Sequence, residues 1–263
     1  MKFNWPAESI WEQIQPVWPD FTIDIVSQTD STNTQLLQRI RSGQTAPVML
    51  VAETQTAGRG RMGKAWASQA GDTLMFSLTT PINPEQHGLS LVLGCAVINA
   101  LDTIGQKLKI KWPNDIWYAQ PDPNTGQNLW HKLVGILVET ILYGRQRYAV
   151  IGIGININPP PQQSTYHTPP GYLKQLDPRW DAPSALACVA PHVAQAVYNF
   201  NTHGLAPWQK SFAQKDLLAG NRLYTSNGIQ GTGAGIDLHG NLLIKTADGL
   251  KTISSGEVSV RPC

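Results

Sequence analysis

Between two β-runs, Val48–Ala52 and Thr73–Leu78, residues 58–66 read Gly-Arg-Gly-Arg-Met-Gly-Lys-Ala-Trp. The short segment after that loop constrains the fold most. Gly58-x-Gly60-x-x-Gly63 matches a dinucleotide fingerprint, and Gly58 to Lys64 matches the start of a phosphate-binding P-loop. Both need a helix directly after the loop, so that its first N–H groups meet the phosphates. Here Ser68-Gln69-Ala70-Gly71-Asp72 is a turn composition leading into a strand, and Ala65 lacks the hydroxyl that a P-loop places on magnesium. Both readings fail. Glycine lets backbone approach a ligand closely, and arginine supplies a planar fork of donors for carboxylate or phosphate. A loop holding both between strands reads as an anion clamp; a solvated basic hairpin is the bland alternative. An Arg/Gly RNA-binding tract would need repetition in a disordered setting.

The 263 residues allow one large core and a small second domain. Hydrophobic content of 41% against 14% charged residues indicates a globular chain, and a net charge of +2 gives no case for nucleic acid or anionic membrane. Cys95, Cys188 and Cys263 have neither metal-ligand spacing nor an even count, which fits a reducing cytoplasm. No signal peptide core and no apolar window of 18 residues is present.

Periodicity predicts a short helix at 8–15 with Trp11 on its apolar side, and a strand at 22–27. A helix opens at Asp30-Ser31-Thr32-Asn33, with Thr32 and Gln35 as a capping box, and stops at Gly43. His87 to Ile104 reads as a buried helix, and Leu108 to Trp112 as a strand continued by Ile116 to Tyr118. Residues 120–130 are a hairpin excursion with a turn at Asn124-Thr125-Gly126; Lys132–Leu142 and Arg147–Ile157 form a second hairpin. A proline-rich loop covers 158–172, and helices come next at 184–201 and 206–218. From Gly220, short β-runs broken by Asn227-Gly228, His239-Gly240-Asn241 and Asp248-Gly249 suggest a small all-β barrel or sandwich. The expected domains are therefore 1–218 and 219–263.

The polar features without an easy structural role fall at strand ends and helix starts. They are Ser31-Thr32-Asn33, Glu53-Thr54-Gln55-Thr56-Ala57 leading into the Gly-Arg loop, Lys111-Trp112-Pro113-Asn114-Asp115, Lys132 to Glu139, and Gly152-Ile153-Gly154-Ile155-Asn156. Together they resemble the biotin protein ligases, over about residues 22–261 with insertions at 120–130 and 159–180. Gly256 to Arg261 is similar to the last strand of that family's small barrel. The resemblance implies an α+β catalytic domain with a mixed sheet, related to class II aminoacyl-tRNA synthetases, and an SH3-like C-terminal domain. It implies ATP and biotin as substrates with magnesium, a biotin carboxyl carrier protein as partner, and room for a homodimer. The stretch before the first strand is short for the winged helix-turn-helix of bifunctional members, so the expectation is a ligase-only chain with no nucleic-acid or membrane partner and no protein-held metal. Many members carry a second basic residue where Met62 stands.

By position the resemblance assigns chemistry to Arg59, Lys132, Lys111 and Asp115. The biotin contacts it implies are Ser31, Thr32, Asn33, Gln55, Gly58, Arg59, Gly60, Arg61, Lys132, Gly135 and Gly152. Those to the nucleotide are Arg59, Arg61, Trp66, Lys111, Asn114 and Asn156. Arg59 stands where the adenylate-forming clamp is expected, with Arg61 nearer the loop exit. Two readings stay open for three residues: Lys111 as a snorkelling strand lysine, Asp115 as a turn residue, Gly154 as a packing glycine. The alternatives in function are a lipoyl or octanoyl protein ligase, whose families lack this Gly-Arg loop and its preceding glutamine, and a biotin sensor, for which Lys132 has no use.

Overall fold

The computed structural model describes residues 3–66, 69–102, 108–122, 126–159, 169–254 and 260–262. In chain order the elements are α1 (Ala7–Ile14), β1 (Thr22–Thr29), α2 (Thr32–Arg41), β2 (Val48–Gln55), β3 (Thr73–Pro81), α3 (Leu89–Leu101), β4 (Leu108–Lys111), β5 (Asp115–Pro121), β6 (Asn128–Tyr143) and β7 (Gln146–Asn156). Then come α4 (Leu173–Leu176), α5 (Ala182–His203), α6 (Gln209–Lys215), β8 (Arg222–Thr225), β9 (Gln230–Ile236), β10 (Leu242–Thr246), β11 (Gly249–Ile253) and β12 (Val260–Pro262). The expected turn at Asn124-Thr125, the bulk of the proline-rich loop, the helix end at Ile104 and the stretch 256–259 lie outside the described residues.

Seven strands form one sheet in the order β1-β2-β3-β7-β6-β5-β4, with β1 and β2 parallel and every other pair antiparallel. A smaller antiparallel sheet has the order β11-β10-β9-β8-β12. Alternation in the central strands separates core from site. In β7, Ile151, Ile153 and Ile155 join the core cluster with α3 and α5, while Gly152 and Gly154 face the other side. In β3, Leu74, Phe76 and Leu78 enter that core. α3 is apolar on every side because the sheet covers one flank and α5 another. On the opposite face α2 packs Leu36, Leu37 and Ile40 against Val48, Leu50 and Val150, covering only part of the sheet. The uncovered part is a trough.

Several expectations need correcting. The capping box at Thr32 is not formed: Ser31 is the N-cap, and the Gln35 amide donates instead to Asp30 Oδ1 at 3.0 Å. Trp11 is 42% exposed, and Ile10 and Ile14 supply the buried face of α1. Residues 116–118 do not continue the strand of 108–112. The chain reverses through Trp112-Pro113-Asn114, so Lys111 pairs with Asp115 in a hairpin. Proline cannot donate to a ladder, which ends the strand there. The helix expected at 206–218 is a 3₁₀ turn at 206–208 continued by α6.

Candidate active site

The trough opens into a cleft of about 240 Å³, room for one small molecule. Its lining runs from Ser31 at the start of α2, over β3, β6 and β7, to the β4–β5 turn, with the Gly-Arg loop as its roof. Of the sequence-named residues, all line it except Gly58 and Asn156. Gly58 closes the loop: its carbonyl accepts from Trp66 N at 2.9 Å, and a Cβ there would lie 2.6 Å from the Trp66 carbonyl oxygen. Asn156 uses its amide to donate to the carbonyls of Lys132 (3.3 Å) and Gly171 (3.0 Å).

One end is a hydroxyl and amide cluster. Ser31, Thr32 and Asn33 are each 3% exposed. Gln55 Oε1 accepts from Thr32 N at 2.6 Å and from Thr32 Oγ1 at 3.0 Å. Ser77 Oγ lies 2.6 Å from both Thr32 Oγ1 and Asn33 Oδ1. The three oxygen–oxygen links have only two hydroxyl protons between them, so the cluster is one donor short. Asn33 Nδ2 donates to Glu139 Oε2 at 2.8 Å, and Arg59 Nη2 donates to the same oxygen at 3.1 Å.

The other end is cationic. Lys132 Nζ is 2.8 Å from Asp115 Oδ1, an ion pair without hydrogen-bond alignment. A bulge brings the two together. Asp115 pairs with Gly135 and Ile116 with Val134, but Trp117 pairs with Lys132, so Leu133 is the extra residue. Counting back by twos from Gly135 would aim Leu133 at the cleft; the bulge sends Leu133 into the core and puts Lys132 there instead. The Lys132 backbone is held outside by Pro169 and Gly171, at 2.9 and 2.7 Å. Arg61 Nη1 donates to Asn114 Oδ1 at 3.2 Å, and the Asn114 amide donates to the Ile136 carbonyl at 2.7 Å. Burial lowers the Arg61 pKa from its usual range, with Asp115 opposing that shift. Lys111 Nζ stands over the Trp117 ring at 5.2 Å. Among the described lining residues, Arg59, Arg61, Lys64, Lys111 and Lys132 face a single acid, Asp115. That excess suits a polyanion.

Trp66 roofs the middle. Gly135 and Gly154 are register partners on β6 and β7, and a Cβ on either would come within 2.6 Å of the indole. The ring therefore rests against backbone at both, which gives Gly154 a role beyond packing between strands. Its Nε1 is buried without a hydrogen-bond partner among the described residues, and Lys132 Nζ is 5.3 Å from the ring. Met62 is 65% exposed at φ +55°, and Lys64 supplies a cation two residues on.

The two loop arginines diverge. Arg59 turns to Glu139 at the amide end, and Arg61 reaches the Asn114–Asp115 end. Sequence reasoning misses Ser77, Lys64 and Glu139 as site residues. Glu139 closes the quoted Lys132–Glu139 segment, and its charge inside an apolar strand is a usable signal. Ser77 carries none. No group of three or more His, Cys, Asp or Glu side chains able to hold a metal occurs among the described residues.

Residues 25–156 match the biotin/lipoate A/B protein ligase family, and residues 223–261 match the biotin protein ligase C-terminal domain. The bifunctional ligase/repressor BirA of Bacillus spizizenii is 34% identical over 90% of this chain and 72% of its own. A biotin–[acetyl-CoA-carboxylase] ligase of Paracoccus denitrificans is 29% identical over 89% of this chain and 98% of its own. The biotin protein ligase from Aquifex aeolicus, solved in complex with biotin and ATP, superposes with a TM-score of 0.71 at 30% identity, over 92% of this chain and 99% of that one. Matched along both its sheets and across the whole cleft, this chain belongs to the biotin protein ligases of the biotin/lipoate A/B family.

Proposed function

We infer that this cleft performs both half-reactions of an ATP-dependent biotin–[acetyl-CoA-carboxylase] ligase. A biotin carboxylate oxygen attacks the α-phosphorus of ATP, pyrophosphate leaves, and biotinyl-5′-AMP forms. The amine of a carrier-protein lysine then attacks the acyl carbon, AMP leaves, and an amide bond results. The observation that carries the reading is the polarity of the cleft: a donor-poor cluster at one end, Arg61, Lys64, Lys111 and Lys132 toward the other, and Met75, Trp66 and Ile136 between them. The ureido head of biotin brings N–H groups to the first end, its valeryl chain crosses the apolar middle, and its carboxylate arrives among the cations.

In this reading Lys132 and Arg61 stabilise the charge that gathers in both steps, with Lys111 and Lys64 along the phosphates. Trp66 offers its unpartnered N–H to an acceptor on the bound intermediate. Asp115 holds Lys132 in place and is the acceptor for the incoming lysine's proton. Magnesium accompanying the nucleotide shields phosphate charge; Asp115 and Asn114 would be its protein contacts, few as is usual for that ion. Ser31, Thr32, Asn33 and Gln55 take the head group, with the Gly152 backbone beside them; Gly135, under the Trp66 ring, and Gly60, in the loop, let backbone close on the rest of the ligand.

We further read 1–218 as the catalytic domain, of the class II synthetase type, and 219–263 as an SH3-like domain. Support comes from the adenylate chemistry, from the five short antiparallel strands, and from a cleft lining that, among the described residues, stops at Gly154. No described helix is long and apolar enough to cross a membrane. Cytoplasmic placement, a carboxyl carrier domain as acceptor and a homodimer belong to the same proposal.

Pyrophosphate release from ATP tests the substrate directly. Biotin is expected to support it, whereas lipoate and octanoate, which bring no N–H groups to the Thr32 cluster, are not. Release with lipoate alone would transfer the chain to the lipoyl ligases, and tight biotin binding without release would make it a sensor.

A further inference from the structure

We propose that Glu139 is a positioning residue that couples the head-group end of the cleft to the Gly-Arg loop. Glu139 does not line the cleft. It lies on the half of β6 beyond the reach of β5, pairs with Val150 of β7, and its side chain is 26% exposed. One of its oxygens, Oε2, receives both the Asn33 amide and the Arg59 guanidinium. Among the described residues it is thus a side-chain acceptor shared by the start of α2 and the roof of the cleft. The contacts run from Gln55 through Thr32, Ser77, Asn33 and Glu139 to Arg59, and the single Ser77 proton closes only one of its two links at a time.

The donor shortage gives the connection a direction. The Ser77 proton has two acceptors within 2.6 Å, Thr32 Oγ1 and Asn33 Oδ1. A ligand N–H directed at Thr32 Oγ1 satisfies that oxygen, and the Ser77 proton is then committed to Asn33 Oδ1. This polarises the Asn33 amide and strengthens its N–H bond to Glu139, because hydrogen bonds in a chain reinforce one another. Glu139 and Arg59 are held more firmly as a result, and with Arg59 the first turn of the loop. A head group bound at one end thereby tightens the roof that retains the activated carboxyl at the other. The inference rests on the placement of the ureido head at Thr32 and Gln55.

The test combines Glu139→Gln, Arg59→Ala and the double variant, each measured by biotin dissociation and by amide hydrogen exchange over 58–66 with and without biotin. Glu139→Gln keeps an acceptor but loses the charge. It should release biotin about tenfold faster, lose the biotin-induced protection of the loop, and melt like wild type without ligand. The double variant should be no faster than the faster single variant, since both remove one connection. Additive single effects, or a loop protected as in wild type in Glu139→Gln, would overturn the coupling. If Glu139→Gln does not fold, Glu139→Asp, which withdraws the charge by one methylene, takes its place under the same criteria. Thr32→Val separates the underlying reading: unchanged biotin affinity there would displace the head group from Thr32, whatever Glu139 does.

Discussion

Lys132 sits 2.8 Å from a carboxylate that is itself only 15% exposed, so its ammonium is already aimed and partly desolvated before any substrate arrives. Lys132→Ala should keep its circular dichroism spectrum yet slow pyrophosphate release on the order of 10²-fold or more, the loss expected for one preorganised charge. Near-wild-type release would move the reacting centre elsewhere. Asp216 makes a different kind of prediction. One of its oxygens is buried without a hydrogen-bond partner among the described residues while the other accepts from Leu218 N at 2.8 Å, and burial raises its pKa against that bond, the one from Ala219 and the pull of Lys109. The folded chain therefore holds this proton more tightly than the unfolded one does. Stability falls as pH rises from the unfolded value, about 3.9, through the folded one, and stays lower above it. Asp216→Asn should melt about 2–4 °C higher than wild type at pH 7, roughly the effect of 1 kcal/mol in a chain this long, and level with it at pH 3. A gain equal at both pH values would exclude the charge as cause. Ser31, Thr32, Gln55 and Lys132 were named through the resemblance; composition alone leaves Ser31 a helix cap and Lys132 a cation before an apolar run. Glu139 meets Arg59 across 80 residues of chain, and only the fold of the loop back over the sheet makes them neighbours. The order of Arg59 and Arg61 along the loop carried no information about where either guanidinium points.

Strands supply most of what the cleft needs, and their alternation was readable: isoleucine toward the helices, glycine toward the ligand. Less legible were the places where alternation breaks. The bulge at Leu133 leaves no mark in composition, since leucine suits either face, yet it decides which way Lys132 points. The reversal at Trp112-Pro113-Asn114 was hidden because residues on both sides have equal β-character; proline was the available sign. The paired glycines of β6 and β7 invite a direct test. In Gly154→Ala the new methyl would stand 2.6 Å from the Trp66 indole, which must then lift off the sheet. We expect biotin binding weakened about tenfold or more, with a stability loss of about 1–3 kcal/mol from overpacking. Adding Trp66→Ala should recover the stability but not the affinity. Wild-type affinity in Gly154→Ala, measured by calorimetric titration, would show that the indole's seat on the strands does not matter to the ligand.

At the scale of the molecule, the change of texture near residue 218 was plain in the sequence, and the structure has a second sheet there. That sheet nonetheless shares its core with the first. Leu223, Leu242, Ile244 and Ile253 belong to the same core cluster as α3 and α5. The Trp112 indole, 1% exposed, donates across the boundary to the Gly240 carbonyl at 2.9 Å. Asp237 shapes the turn that presents this carbonyl, accepting from the backbone of His239 and Asn241, both at 2.9 Å. Calorimetry and tryptophan fluorescence are therefore expected to report one coincident unfolding transition; a separate early melt of the small sheet would restore its independence. The same indole sits inside the strand-turn that carries Lys111, Asn114 and Asp115, so the seam between the sheets is also a wall of the cleft. For anyone recombining these genes, the small sheet is consequently a fixture and not a cassette. A graft after residue 218 has to bring a backbone carbonyl to one spot beneath Trp112, and a chimaera that misses it inherits a buried N–H with nothing to hold.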